Sequence, residues 1–189
     1  GLVLFLGIHS VAIVAPRARD AWVQRLGEMP WKGRYSLVSL VGFALIVWGC
    51  GLAREQPVLL YSVPGGFRHL AALLMLPVFV LLFATYLPGR IQAAAKHPML
   101  LAVKLWALAH LLGQPATGGT LADVLLFGGF LVWAVIDRIS VKRRHALGPV
   151  GTKTGPWIND VIVLVVGTGL YVVFLFWAHQ FLIGVSPLS

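Results

Sequence analysis

Six long apolar stretches, separated by short polar connections, constrain the fold of this chain more than any other feature. They cover residues 1–15, 36–53, 69–88, 98–113, 120–138 and 160–184. A helix that crosses the hydrocarbon core of a bilayer needs about 20 mainly apolar residues, because it rises about 1.5 Å per residue. The fourth stretch is short for this length, and we expect it to be tilted or extended by its neighbours. The pattern predicts an all-α, polytopic membrane bundle of about six transmembrane helices, forming a single domain over 1–189.

The first stretch is also short, and we expect the natural chain to begin a few residues before Gly1. A cleaved signal peptide carries its basic residues before the apolar run. In "VLFLGIHSVAIVAPRAR" the basic residues Arg17 and Arg19 follow the apolar run instead. We therefore interpret this stretch as a membrane span.

Composition supports a membrane protein and excludes an ordinary soluble domain. The chain is 59% hydrophobic and 11% charged, with a mean hydropathy of +0.88. Soluble domains are about 25% charged and about 45–50% apolar. Cys50 is the single cysteine, so an intramolecular disulfide is excluded.

Lys and Arg are distributed very unevenly between the connections. Five lie in 16–35, two in 89–97 and five in 137–159, which makes twelve of the 15. The alternating connections hold only Arg54 and Arg68, and Lys104 lies inside an apolar stretch. Because basic loops stay in the cytoplasm, the twelve are predicted to be cytoplasmic and both termini to lie outside. The net charge of +9 is not accompanied by a nucleic-acid motif; "VKRRH" is interpreted as a topology signal that contacts anionic lipid.

Four histidines lie within the apolar stretches, where an ionisable group is costly unless it has a partner. His69, His110 and His179 are predicted to share the outer half of the bilayer, and His9 to lie near its middle. His97 is 13 residues before His110, which places the two about 20 Å apart along one helix. They cannot bind one common centre, so His97 is assigned to the cytoplasmic surface.

His110 and Trp106 are one turn apart and share a helix face. Two imidazoles from different helices, with aromatic and apolar surface between them, are what a haem needs. A zinc site is less favoured, because clustered Cys or carboxylate ligands and an H-E-x-x-H spacing are missing. The structural alternative is that each histidine makes an interhelical hydrogen bond.

Lys104 is predicted to reach the cytoplasmic interface or to pair with Asp137 or Asp160. Structural pairing is favoured over a catalytic role. Asp137 and Arg138, together with Asn159 and Asp160, are expected at the same depth and could form a polar network.

Five segments carry a resemblance to a known family. They are "FLGIHS", "RLGEMPWKGRYSLVSLVGF", "RHLAALLMLPVF", "KHPMLLAVKLWALAHLL" and "DRISVKRR". Together they resemble the NnrU family of bacterial integral membrane proteins over nearly the whole chain. The resemblance implies a protein of the bacterial cytoplasmic membrane that is associated with denitrification and nitric oxide metabolism.

The family is similar to the zeta-carotene isomerase of plants and cyanobacteria, a haem b enzyme. This similarity implies haem b as cofactor, with His110, His9 and His69 as candidate iron ligands and Trp106 beside the haem. The isomerase has a cysteine three residues before the histidine that corresponds to His110. This chain has Ala107 there, so the isomerase's ligand switch is not expected to carry over unchanged.

Three functions follow from these observations and the resemblance. The first is a haem-binding membrane protein with a redox, isomerase or nitric-oxide-linked role, acting on nitric oxide or a small apolar substrate. The second is a non-enzymatic accessory factor for nitric oxide reductase, which would contact other denitrification membrane proteins. Membrane methyltransferases share the His97–Pro98 dipeptide, and methyl transfer ranks third because paired glutamates late in the chain are missing.

Overall fold

The computed structural model describes residues 1–114, 118–145 and 155–188, and these residues are almost entirely helical. The helices of the first half are α1 Leu2–Val14, α2 Pro16–Leu26, α3 Glu28–Glu55, α4 Phe67–Ala84 and α5 Arg90–Ala95. Those of the second half are α6 Pro98–Leu112, α7 Leu121–Asp123, α8 Gly129–His145, α9 Trp157–Val173 and α10 His179–Ile183. Two π-helical segments, Val124–Gly128 and Phe174–Ala178, join α7 to α8 and α9 to α10. Two short strands, β1 Leu59–Tyr61 and β2 Gly119–Thr120, pair antiparallel.

Four helical stretches in the described residues are long and apolar enough to cross a membrane: α3, α4, Leu121–Arg143 and Trp157–Ile183. A fifth is reached if α1 and α2, which are bent by 98°, count as one broken span. Helix α6 is apolar but has 15 residues, which agrees with the expected shortness of the fourth stretch. The predicted all-α membrane bundle is confirmed, and the predicted number of six spans is approximate.

Contacts along the helices show which neighbours run parallel and which run antiparallel. Phe5 contacts Phe130 and His9 contacts Trp133, so α1 and α8 run parallel. His9 also contacts Tyr35 near the start of α3. Because a Cβ on Gly42 would lie only 2.9 Å from the backbone of Phe5, α3 passes α1 in the opposite direction.

Helix α4 is the centre of the bundle and holds much of its buried surface. One apolar cluster joins Val78 and Leu81 of α4 to Ala102 of α6. Another joins Val80 of α4 to Val163 of α9. Lipid chains are as apolar as the helix surfaces, so membrane helices associate mainly through close van der Waals packing. Helix α4 makes such contacts with both α6 and α9.

Hydrogen bonds of two α9 side chains hold the connection between α4 and α5 against the start of α9. The Asp160 carboxylate accepts hydrogen bonds from the backbone N–H groups of Arg90 and Ile91, both at 3.0 Å. The Asn159 side-chain amide donates to the carbonyl of Pro88 at 2.7 Å. The first N–H groups of a helix have no partner within it, so Asp160 stabilises α5 from a distant part of the chain.

These contacts place the basic segments at one end of the bundle, called the basic end below. The parallel α1 and α8 bring the region after Val14 to the level of Arg138, and Asp160 brings Arg90 to the start of α9. Lys153, one of the twelve basic residues, lies outside the described residues. The cytoplasmic location of this end stays a prediction.

Candidate functional site

A cavity of about 980 Å³ lies at the end of the bundle opposite the basic end, called the cavity end below. Its walls come from the last turn of α3, the first turns of α4, the end of α6, both π-helical segments and the residues after α10. Cavities of about 300–1,000 Å³ are typical of small-molecule and cofactor sites. The cavity is therefore large enough for a ligand the size of a cofactor.

Two histidines from different helices line this cavity. The ring centres of His110 in α6 and His179 in α10 are 6.2 Å apart, and their planes are inclined by 27°. The Nδ1 atom of His110 lies 2.8 Å from the carbonyl oxygen of Trp106, and Nδ1 of His179 lies 2.7 Å from that of Val185. A carbonyl oxygen can only accept, so each Nδ1 carries the proton and donates it. In the neutral ring, Nε2 then keeps its lone pair for a ligand.

The two π-helical segments shape the wall around these imidazoles. Leu126 and Phe127 come from the first segment, and Phe174 and Leu175 from the second. A π-helical turn holds an extra residue and changes the direction of the side chains that follow; such turns are frequent at functional sites. His179 directly follows the second segment, so this irregularity decides which way its helix face is turned.

Aromatic rings support His110 from behind and from the side. Phe127 stacks on it with ring centres 4.6 Å apart, and Trp106 lies 5.3 Å away. Trp106 also contacts Phe127 and Phe130 edge-on. Because these rings fill the space around His110, its imidazole is held in one orientation. Trp106 itself is not among the residues that line the cavity.

Charged groups lie around the same cavity. Arg54 and Arg68 both line it, and Nη1 of Arg54 donates to the carbonyl oxygen of Ile183 at 2.8 Å. Asp123 also lines it, but its carboxylate accepts from the backbone N–H and the hydroxyl of Thr120 in a capping box at the start of α7. The guanidinium groups therefore favour an anionic partner at the edge of the cavity.

The chain covers the cavity end with two non-helical pieces. The Tyr61 hydroxyl, at the end of β1, donates to the carbonyl of Leu111 at 2.7 Å. Burial and, to a lesser degree, the charge of Asp123 raise the pKa of Tyr61, so it stays a donor. After α10 the backbone turns at Gly184, whose φ of +80° suits glycine. This turn brings Val185 back to His179.

The other predicted ligands lie elsewhere. His9 of α1 packs against α3 and α8, and its ring centre lies 4.2 Å from that of Phe5. Its Nδ1 donates to the carbonyl oxygen of Phe5 at 2.7 Å. His69 is exposed near the start of α4. Neither lines the cavity. His97 is the N-cap residue of α6, one helix length from His110. The structure thus brings His110 together with His179, which sequence reasoning placed at the same depth but did not select as its partner.

Cys50 shares a cavity with His110, which the sequence did not predict. It lies near the end of α3 and lines the same cavity. Within the described ranges, no three His, Cys, Asp or Glu side chains come together as a site for a metal ion. A porphyrin differs from a free metal ion in that it supplies four ligands to iron itself, so one or two protein ligands complete the site.

The fold and the cavity define a class: a polytopic helical membrane protein with a cofactor-sized cavity at one end of the bundle, lined by two imidazoles and two guanidinium groups. The profile of the NnrU family, described as "NnrU protein", matches residues 1–187. The chain therefore belongs to the NnrU family, as the sequence resemblance indicated. No curated protein and no solved structure matches the chain significantly.

Proposed function

We propose that this NnrU family protein binds one haem b in the cavity, where His110 and His179 would bind its iron. The observation that carries the proposal is the pair of imidazoles, 6.2 Å apart across one cavity, each with Nδ1 engaged by a backbone carbonyl. Iron-binding histidines use the same arrangement, in which a hydrogen bond at one ring nitrogen orients the other toward the metal.

The separation of the two rings suits a shared iron. A bond from a metal to an imidazole nitrogen is about 2 Å long, and that nitrogen lies about 1 Å from its ring centre. If both imidazoles bound one iron, their ring centres would be at most about 6 Å apart by this sum. The two rings are roughly parallel, with planes inclined by 27°, and their centres are farther apart than those of His110 and Phe127 at 4.6 Å.

The remaining walls also suit a haem. Phe79, Phe127 and Phe174 provide apolar surface for a porphyrin. Arg54 and Arg68 can pair with its two carboxylates, since an arginine forms parallel hydrogen bonds to a carboxylate. A bound haem would supply one-electron chemistry and reversible binding of small gases such as nitric oxide. The chain's own residues would orient the imidazoles, hold the carboxylates and exclude water.

The family association with denitrification favours a redox or nitric-oxide-linked role for this haem. A haem-dependent isomerase is the second candidate, because Cys50 lines the cavity although Ala107 replaces the cysteine of the isomerase. Ala107 is fully buried, whereas Cys50 lines the cavity and is the thiol that could serve as an alternative ligand.

The test is the haem content and absorption spectrum of the full-length protein, purified in detergent from cells supplied with haem precursor. We expect about one haem per chain, and a bis-imidazole spectrum in the reduced state. His110→Ala and His179→Ala should each lower haem occupancy at least about tenfold, because each variant removes one of the two imidazoles that would bind the iron. Cys50→Ser should leave the spectrum unchanged, and a changed oxidised spectrum would favour the isomerase.

His9→Ala, His69→Ala and His97→Ala are the matched controls, since each removes one imidazole outside the cavity. Loss of haem in His9→Ala or His69→Ala, with His179→Ala unaffected, would contradict the proposed pair and favour the ligands that the family resemblance implies. A folded but colourless wild-type protein would contradict haem binding. That result would favour the accessory factor instead.

A further inference from the structure

The bend between α1 and α2 sets α2 apart from the bundle. Pro16 is the first residue of α2 and has no N–H group, and a proline disfavours helical geometry in the residue before it. Ala15 accordingly leaves the helical region, with φ −135° and ψ 59°. The two helices meet at 98°. Because α1 packs along α3 and α8, α2 runs across the bundle axis and therefore along the plane of the membrane.

Little of α2 contacts the rest of the protein. Val23 and Leu26 are partly buried, and the other residues of the helix are exposed. At 100° per residue, Arg17 and Arg25 lie on the face opposite Val23 and Leu26. The helix thus rests on the protein with one narrow face and presents two arginines on the other.

The charge of this region is only partly balanced. Arg19 pairs with Asp20 at 2.8 Å, and Lys32 pairs with Glu28 at 2.7 Å. Arg17 and Arg25 are exposed, and in the part of the chain that the structure describes neither takes part in an ion pair. These two guanidinium groups are free to bind an anion.

Aromatic and apolar side chains accompany the arginines. Trp22 of α2 contacts Trp31 of α3, with ring centres 5.5 Å apart, and Trp22 is 47% exposed. Met29, between them in sequence, is 76% exposed. Tryptophan concentrates at the level of lipid headgroups, where its ring is apolar and its N–H is polar. Exposed tryptophan beside unpaired arginine at the membrane level is typical of a helix that lies in the interface.

We propose that α2 is an interfacial helix that binds anionic phospholipid headgroups through Arg17 and Arg25. A lipid phosphate fits because it is anionic, accepts paired hydrogen bonds from a guanidinium group and is present at this depth on every side of the bundle. The adjacent Trp22 provides the apolar surface that the lipid's glycerol and upper acyl chains would cover. This proposal is independent of the haem site, which lies at the opposite end of the bundle.

The test is lipid binding to the full-length protein in detergent, titrated with phosphatidylglycerol or phosphatidylcholine and followed by native mass spectrometry. We expect the wild type to prefer phosphatidylglycerol, and Arg17→Gln with Arg25→Gln to weaken that binding about thirtyfold. Arg17→Lys with Arg25→Lys keeps the charge and should stay within a few-fold of the wild type. Circular dichroism confirms that each variant is folded.

Arg90→Gln with Lys96→Gln is the matched control, because it removes two exposed positive charges of the basic end that lie outside α2. We expect a clearly smaller loss of phosphatidylglycerol binding from this variant. Equal losses from the two pairs would overturn the assignment to α2. Equal binding of the two lipids by the wild type would overturn the proposal altogether.

Discussion

Gly167 shows how a single residue permits the close contact between α9 and α4. A Cβ atom added to it would lie 2.7 Å from the backbone of Val80, closer than real side chains approach. Gly169 is two residues further along the same helix and has open space around it. Small residues allow membrane helices to approach closely, so the two glycines have different roles although their local sequence is similar.

Gly167→Ala should destabilise the protein by about 1–3 kcal/mol, because the new methyl group forces α9 away from α4. Gly169→Ala should be neutral or stabilise it by up to about 1 kcal/mol, since alanine is the better helix former. Thermal unfolding in detergent, followed by circular dichroism, compares the two. Equal stability of the two variants would show that the approach to Val80 does not limit the packing.

At the scale of secondary-structure elements, the irregular parts of the helices decide the site. The π-helical segment Phe174–Ala178 lies between an ordinary helix and His179. This turn already holds one residue more than an α-helical turn, so a further inserted residue would turn the residues that follow by about 100°. His179 would then leave His110, and Ile183 would leave Arg54.

Insertion of one alanine after Leu175 should therefore abolish haem binding under the proposed function and lower the thermal unfolding midpoint through loss of the Arg54–Ile183 and His179–Val185 hydrogen bonds. Leu175→Ala is the control, because it changes a side chain of the same segment but keeps the helical register. Similar haem content and midpoint in the two variants would contradict a role for the π-helical register.

On the scale of the whole molecule, the two ends of the bundle differ in charge and in shape. The basic end carries α2, the connection around Arg90 and the exposed Lys142 and Arg143. The cavity end carries the β-strands and the residues after α10. Such an asymmetry is what orients a membrane protein during insertion.

Single cysteines placed at the two ends test the orientation. Arg143→Cys and Ser186→Cys, each combined with Cys50→Ala in the full-length protein, should be labelled from opposite sides of the membrane by an impermeant thiol reagent. We expect Arg143→Cys to react only from the cytoplasmic side, because basic segments stay there. Labelling of both positions from one side would contradict the alternating topology.

Local sequence sufficed for the membrane bundle and for most of its helical stretches, because apolar length depends only on neighbouring residues. The one-turn spacing of Trp106 and His110 likewise follows from helix geometry alone. Pro16 marked the end of α1, since a missing N–H group acts locally.

Only the tertiary structure shows which histidine lies next to His110. Sequence reasoning placed His69, His110 and His179 at a common depth, but depth does not specify which helices are neighbours or how each is turned about its axis. The π-helical segment before His179 and the turn at Gly184 set that rotation, and apolar composition gives no signal for either. Cys50 joins the cavity for the same reason: contacts between distant helices depend on how the whole set of apolar faces packs, which no single stretch of the chain encodes.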